Sequence, residues 1–223
     1  MKNYILLIII LFAFNNCAVV NDSINVIDCD KLGENEVKIC DQIWMTRNLD
    51  VDHYRNGDSI RYCETQAEWQ DAAAKKEGAC CYYNDDPTID TLYGKLYNWY
   101  AVNDTRGLAP KGWHIPSGKE FDTLVSCLGF HAGGKVKESG YDHWEFPNYD
   151  ATNESGFSAL PGGISYIDGT FEYLKTNGYY WASNEGSPTV AWAWGLSYVH
   201  ASLYGIYDVN KGSGISVRCV QDK

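Results

Sequence analysis

Positive charge is in short supply in this chain. Against 29 Asp and Glu stand 18 Lys and Arg, giving a formal net charge of −11 at pH 7 and a pI near 4.8. No basic stripe interrupts that balance, so a phosphate backbone would be repelled and nucleic acid is excluded as a partner. The apolar run from Tyr4 to Phe14 falls short of the roughly 20 residues that cross a bilayer. The five His are scattered (His53, His114, His131, His143, His200), with no two at a spacing that puts a metal pair on one helix face. No Cys-x-x-Cys occurs, and the adjacent Cys80 and Cys81 are poorly placed to share a tetrahedral ion. A Gly-x-Ser-x-Gly elbow and a phosphate loop are both missing. These absences argue against catalysis, a metal centre or a cofactor, and no internal repeat, low-complexity tract or second domain appears.

What is present is an ordinary globular composition, 223 residues with 45% hydrophobic and 21% charged, enough for one sizeable core. Eight Trp, 17 Tyr and 21 Gly beside only two Met point to many short strands and tight loops. Met1-Lys2 ahead of the apolar run has the form of a signal peptide over residues 1–17. Cys17, directly after Phe14-Asn15-Asn16, sits where a lipoprotein cleavage site would make it the lipidated first residue; ordinary cleavage near Ala18 is the alternative. Residues 18–35, polar and acidic, then read as a tether. Export gives the cysteines meaning, since disulfides persist outside the cytoplasm. With Cys17 lipidated, seven of the eight Cys remain, an odd number, so one thiol is free or pairs between chains.

Local signals place the elements. Val37-Lys-Ile39 and Gln42-Ile-Trp-Met-Thr46 flank Cys40-Asp41 as a hairpin, and Arg55-Asn-Gly-Asp58 reads as a tight turn. Two capping boxes, Thr65 with Glu68 and Ser117 with Glu120, start helices over 65–76 and from 117 to the stop at Gly129. In the second, Phe121, Leu124, Val125 and Leu128 form one apolar face. Leu96, Trp99 and Tyr100 predict a helix over Tyr93 to Val102. Asn84, Asp85, Asp86 and Asp90 invite calcium, but the spacing fits no EF-hand and a solvated turn before Pro87 is the reading taken. His114 reads as a hydrogen-bonded core residue. Tyr179–Ser183 and Ala191–Val199 predict strands, and Ile215, Val217 and Cys219 alternate as a last strand with one buried face.

Four blocks in order, Tyr93–Val102, Gly112–Phe121, Trp181-Ala-Ser-Asn-Glu185 and Val217-Arg-Cys-Val220, resemble the Fibrobacter succinogenes major paralogous domain over residues 36–222. That resemblance implies an exported bacterial module. The Trp-His-Ile-Pro helix start and the Val-Arg-Cys strand also resemble the C-type-lectin-like fold of formylglycine-generating enzymes, which implies an α+β domain of short helices on twisted, mainly antiparallel sheets with long loops. Those enzymes use closely placed cysteines in the C-terminal half, whereas only Cys219 follows Cys127 here; the calcium-lectin triplets are absent too. Because the helix end and last strand pack together in the resembled fold, a Cys127–Cys219 disulfide is expected, with Cys63 to Cys80 or Cys81, and Cys29 to Cys40, as further pairings.

One segment departs from ordinary core or loop composition. The sixteen residues between Trp194 and Lys211 contain no Lys, Glu, Gln, Met or Trp and are rich in Tyr, Ser and Gly, the residues of adaptable binding surfaces. An exposed recognition surface is expected from Trp192, Trp194, Tyr198, His200, Tyr204, Tyr207, Asp208 and Asn210, with Trp192, Trp194 and Tyr198 on one strand face and one of the two Trp in the core. Variable proteins of diversity-generating retroelements have such a C-terminal segment on lectin-like folds. The expectation is a non-enzymatic surface binding module, anchored through lipid in the outer membrane or at the cell surface, or otherwise periplasmic or secreted. Its ligand would be a protein or a carbohydrate. A structural or assembly lipoprotein without a dedicated ligand, or an enzyme of the formylglycine-generating type, are the alternatives.

Overall fold

The computed structural model describes residues 33–86 and 90–223; Cys17, Cys29, the signal peptide and most of the tether lie outside the described residues. In chain order the elements begin with the hairpin β1 (Glu36–Ile39) and β2 (Gln42–Met45), then β3 (Arg61–Tyr62), α1 (Gln66–Lys75), β4 (Ala79–Cys81), α2 (Asp90–Tyr93), β5 (Leu96–Asn98) and α3 (Trp99–Val102). There follow β6 (Trp113–His114), α4 (Gly118–Leu128), α5 (Ala132–Val136), β7 (Gly162–Ser165), β8 (Phe171–Leu174), β9 (Asn177–Glu185), β10 (Val190–Ser197), β11 (Tyr204–Asn210), β12 (Gly214–Ile215) and β13 (Val220–Gln221).

The strands form three sheets: β1-β2-β13-β6, β11-β10-β9, and β3-β4-β5-β12-β7-β8. Among the described residues every strand pairing but β3–β4 is antiparallel, with two isolated parallel bridges at Lys137↔Ala159 and Tyr180↔Ser216, so the architecture is α+β and mainly antiparallel. Both capping boxes form as expected: Thr65 accepts the Glu68 N–H and Ser117 accepts the Glu120 N–H, with each Glu returning to its cap. Helix α4 buries Phe121 and Leu124 and stops at Gly129, whose φ is +68°.

The stretch Tyr93–Val102 corrects the expected helix. Gly94, at φ +69°, breaks it, and Leu96–Asn98 becomes a strand paired to Cys80–Cys81 on one side and to Gly214–Ile215 on the other. Asn98 then caps the short α3 by accepting the Ala101 N–H at 3.0 Å. Sheet pairing on both edges outweighs the helical spacing of the apolar residues.

The C-terminal segment is also corrected. Positions 211–220 are buried throughout rather than on alternate sides, because the chain threads between two cores. Ile215, Val217 and Cys219 join Trp181, Tyr97 and Ala193 in one, while Val220 joins Trp44, Phe121 and Trp194 in the other. Arg218 is wholly enclosed, and no carboxylate among the described residues pairs with it. Its guanidinium donates to the Phe157 carbonyl at 2.6 Å, the Met45 carbonyl at 3.0 Å and Asn48 Oδ1 at 2.7 Å. Burial pushes its pKa down to about 10, which leaves it charged at neutral pH.

Cys127 bonds Cys40, not Cys219. Trp44 of β2 packs on Phe121 of α4 with ring centroids 5.3 Å apart, and Gln42 Nε2 donates to the Glu120 carbonyl, so the hairpin lies along the helix. Its turn, where Cys40 adopts φ +52°, meets the last helical turn with the two Cα atoms 6.6 Å apart. Cys219 faces the other core. Cys63, Cys80 and Cys81 are also unbonded, and Cys40 is not available to Cys29.

Candidate binding surface

The expected recognition segment folds as the β10–β11 hairpin, with β10 in the middle of its sheet. That sheet is packed on both faces. Ala191 and Ala193 turn to the core that holds Trp181 and Val217, and Trp194 and Leu196 turn to the core that holds Phe121 and Tyr180. Trp192, Trp194 and Tyr198 do share a face, but it points inward over most of its length. Trp194 is 4% exposed and stacks on Phe121 with centroids 5.2 Å apart and planes 21° from parallel, so it is core and is removed from the surface. The expectation that one Trp would be core therefore falls on Trp194.

Trp192 sits where the ladder slips. Pairing steps from Ala191↔Val209 to Ala193↔Ile206, so Trp192 alone opposes Tyr207 and Asp208. This is a β-bulge, which re-aims side chains. The Tyr207 ring meets Trp192 edge-on at 4.9 Å. Beneath, Trp192 lies over Gly118 at the start of α4: a Cβ there would stand 2.9 Å from the indole, and the Gly118 N–H donates to Asn184 Oδ1 at 2.6 Å.

Along the edge strand two tyrosines each lie over a glycine. A Cβ on Gly195 would stand 2.8 Å from the Tyr204 ring, and one on Gly205 would stand 2.6 Å from the Tyr207 hydroxyl. Tyr207 remains 55% exposed and Tyr204 36%. His200, Asp208 and Asn210 are exposed, and Asn210 Oδ1 accepts the Gly212 N–H at 2.9 Å, tying its carbonyl into the turn that follows. Tyr198 is half-buried: its N–H donates to the Thr176 carbonyl at 2.9 Å and its carbonyl accepts the Tyr149 N–H at 2.7 Å.

The surface extends beyond the residues expected from the sequence. Tyr173 and Tyr179 of the neighbouring strands meet edge-on at 6.2 Å. Burial, with Tyr204 and Tyr173 close by, pushes the Tyr179 phenol up to about 12. At the other end, His131 lies between the exposed Phe130 and Tyr149, with centroids 3.7 and 6.5 Å away. The alternation in Asn177-Gly-Tyr-Tyr-Trp181 could have pointed to Tyr179. Nothing local in the sequence ties Phe130 and Tyr149 to the hairpin, because the link is the buried Lys137. Its ammonium donates to the carbonyls of Tyr149 at 3.0 Å, Ser197 at 3.0 Å and His200 at 2.9 Å.

Other expected groups have ordinary partners. Asp85 accepts the Tyr62 hydroxyl, the Asp90 side chain is not among the described residues, and no group of three or more acid, His or Cys side chains is arranged for a metal among the described residues. His114 is half-buried at the domain margin, held between Glu120 and Asp222 at 2.8 Å each. The Cys219 thiol is enclosed, and burial pushes it up to about 12.

The profile of the Fibrobacter succinogenes major domain matches residues 37–221. Neither a curated protein nor a solved structure matches the chain. The two capping boxes, the Trp-His-Ile-Pro approach to α4 and the threaded Val-Arg-Cys segment lie within the matched span, and the chain belongs to the Fibrobacter succinogenes major domain family.

Proposed function

We propose that this chain is a binding module displayed at the cell surface, not an enzyme, and that the edge of the β9–β11 sheet is where it takes its ligand. The observation that carries the reading is the pair of tyrosines laid over Gly195 and Gly205 on a sheet whose two faces are otherwise filled by core. Tyrosines seated beside glycines offer large contact area at little entropic cost, and Asp208, Asn210 and His200 add polar contacts around them. The ligand class is a protein or a carbohydrate. The lectin-like architecture, export by the signal peptide, lipidation at Cys17 and the 18–35 tether complete the proposal, with the domain held off an outer membrane or cell surface. An enclosed Cys219 thiol without a partner cysteine speaks against chemistry of the formylglycine-generating type.

The test is saturable binding of the full-length chain, kept in detergent, on arrays of glycans and cell-surface proteins. Combined substitution of Tyr198, His200, Tyr204 and Tyr207 by Ser should abolish binding and leave the melting transition in place. Unfolding by that substitution would make the segment core. An intact fold with no binding by the wild type would leave the structural lipoprotein. Diversification by a retroelement belongs to the same proposal and is restricted to the exposed positions, since Trp194 and Leu196 are enclosed. It requires a nearby near-duplicate of this segment with adenine-rich codons and an adjacent reverse transcriptase; their absence removes that part alone.

A further inference from the structure

The β3–β4 corner of the six-stranded sheet holds three of the four thiols that are unbonded among the described residues. The strands run parallel with Arg61↔Ala79 and Tyr62↔Cys80 in register, and the Cys63 N–H donates to the Cys80 carbonyl at 2.9 Å. One step further along, Cys63 comes opposite Cys81. Neighbouring strands lie about 4.8 Å apart, inside the window of roughly 4.4–6.8 Å between Cα atoms that a disulfide spans.

Strand alternation sorts the three thiols. Cys80 turns to the core that contains Tyr97, Ile215 and Cys219, while Cys63 and Cys81 turn together to a third core with Trp69, Ala72 and Leu96. Both also line one cavity of about 220 Å³, whose rim is the exposed Glu64, Thr65, Gln66, Asn84 and Asp85. The space is large enough for on the order of seven waters at about 30 Å³ each, so a small reagent can enter. Elsewhere in the same chain Cys40 and Cys127 are already bonded, a state that persists in oxidising surroundings.

We propose that Cys63 and Cys81 are a disulfide-forming pair, closed by exchange with a low-molecular-weight disulfide that enters this cavity. The Cys63 thiolate attacks one sulfur of that reagent, forming a mixed disulfide and expelling the other half as a thiolate. The Cys81 thiolate then attacks the Cys63 sulfur, the protein S–S bond forms and the second half leaves. Two protein thiols give up two protons and two electrons, and the reagent is reduced to two thiols. Burial pushes the Cys63 thiol up to about 11 and Cys81 well above its ordinary value, so Cys63 is the first nucleophile and the exchange accelerates as pH rises toward that range. Closure ties the approach to α1 onto β4 and fixes one wall of the cavity.

The experiment treats the full-length chain in detergent with bis(2-hydroxyethyl) disulfide, whose eight heavy atoms fit the cavity, at pH 7 and pH 9, blocks remaining thiols with iodoacetamide under denaturing conditions, and maps a non-reduced digest. The expected result is a Cys63–Cys81 link in the wild type and in Cys80→Ser, forming on the order of 100-fold faster at pH 9, since the thiolate fraction rises about tenfold per pH unit below the thiol's pKa. In Cys63→Ser it is replaced by an alkylated Cys81, with the Cys40–Cys127 link intact as the sign of folding. Alkylated Cys63 and Cys81 in both the wild type and Cys80→Ser after exposure at pH 9, or a link that runs to Cys80, would overturn the proposal. Because the readout is a covalent link, it stands or falls independently of ligand binding at the tyrosine edge.

Discussion

The ammonium of Lys137 reaches the carbonyl of His200 at 2.9 Å across 63 residues of chain. The same group holds Ser197 and Tyr149, so one enclosed cation fixes both the turn between β10 and β11 and the loop that brings Tyr149 beside it. Burial pushes its pKa down to about 8, with Asp150 working in the other direction, and it stays charged at pH 7. Lys137→Met keeps the volume and removes all three bonds, leaving buried carbonyls without a donor. The expected cost is about 2–4 kcal/mol in urea unfolding, with amide exchange accelerating most over residues 197–203. Unchanged stability and protection would mean that the turn holds its own shape.

A second expectation concerns Gly205. Adding a methyl group there meets the Tyr207 hydroxyl first, at 2.6 Å, and the hydroxyl is the far end of an exposed side chain that can swing away. Gly205→Ala should therefore cost less than about 1 kcal/mol while the edge-on contact between Tyr207 and Trp192 is lost. NMR shifts of the Trp192 indole read that loss directly. If the Trp192 resonances stay in place, the ring is not seated by the glycine.

How far the sequence discloses this molecule depends on the range of each interaction. The capping boxes at Thr65 and Ser117 are complete within four residues, and both helices are legible from them. The β1–β2 hairpin is equally local, and Glu36↔Met45 pairs with Ile39↔Gln42 as the apolar runs suggest. Tyr93–Val102 is not legible, because what makes Leu96–Asn98 a strand is its pairing with Cys80–Cys81 and Gly214–Ile215. The same limit falls on the surface. Period-two alternation marks an exposed face only when the other face is buried, and the β9–β11 sheet is covered on both sides. Tyr204 and Tyr207 could be found by composition; the fate of Trp194 rests on Phe121, 73 residues earlier in the chain.

His114 supplies a pH test. Burial opposes its charged form, but the hydrogen bonds it donates to the Glu120 and Asp222 carboxylates outweigh that and hold its pKa above the ordinary value. Burial likewise works to raise Glu120, yet the Ser117 cap and His114 keep it below the usual carboxylate range. A histidine whose native pKa is raised contributes its stabilisation in full below the unfolded value of about 6.5 and loses it as pH climbs through the native one. Glu120 contributes above its unfolded value and loses its share as pH falls through the native one. The melting temperature of the wild type should thus exceed that of His114→Gln most clearly near pH 5.5, and the gap should narrow by pH 9. A gap that is constant or widens with pH would contradict the charged arrangement.

The Cys40–Cys127 bond is the remaining expectation and the one most exposed to direct measurement. It closes a span of 87 residues, from the turn of the first hairpin to the last turn of α4, and α4 carries Phe121 into the core on which Trp194 rests. By loop-closure entropy a span of this length restricts the unfolded chain by about 4–5 kcal/mol at most. Cys40→Ser and Cys127→Ser should therefore destabilise alike, by up to that amount, and the double substitution by no more than either alone. Cys219→Ser should act differently. Its thiol is enclosed beside Val217 with no bonded partner, so the exchange places a hydroxyl in an apolar site without removing a cross-link. The expected cost is about 1–3 kcal/mol, and it should persist in full under reducing conditions, where the effect of Cys40→Ser disappears. Additive losses from Cys40→Ser and Cys127→Ser, or a Cys219→Ser effect that vanishes on reduction, would return the bond to Cys219.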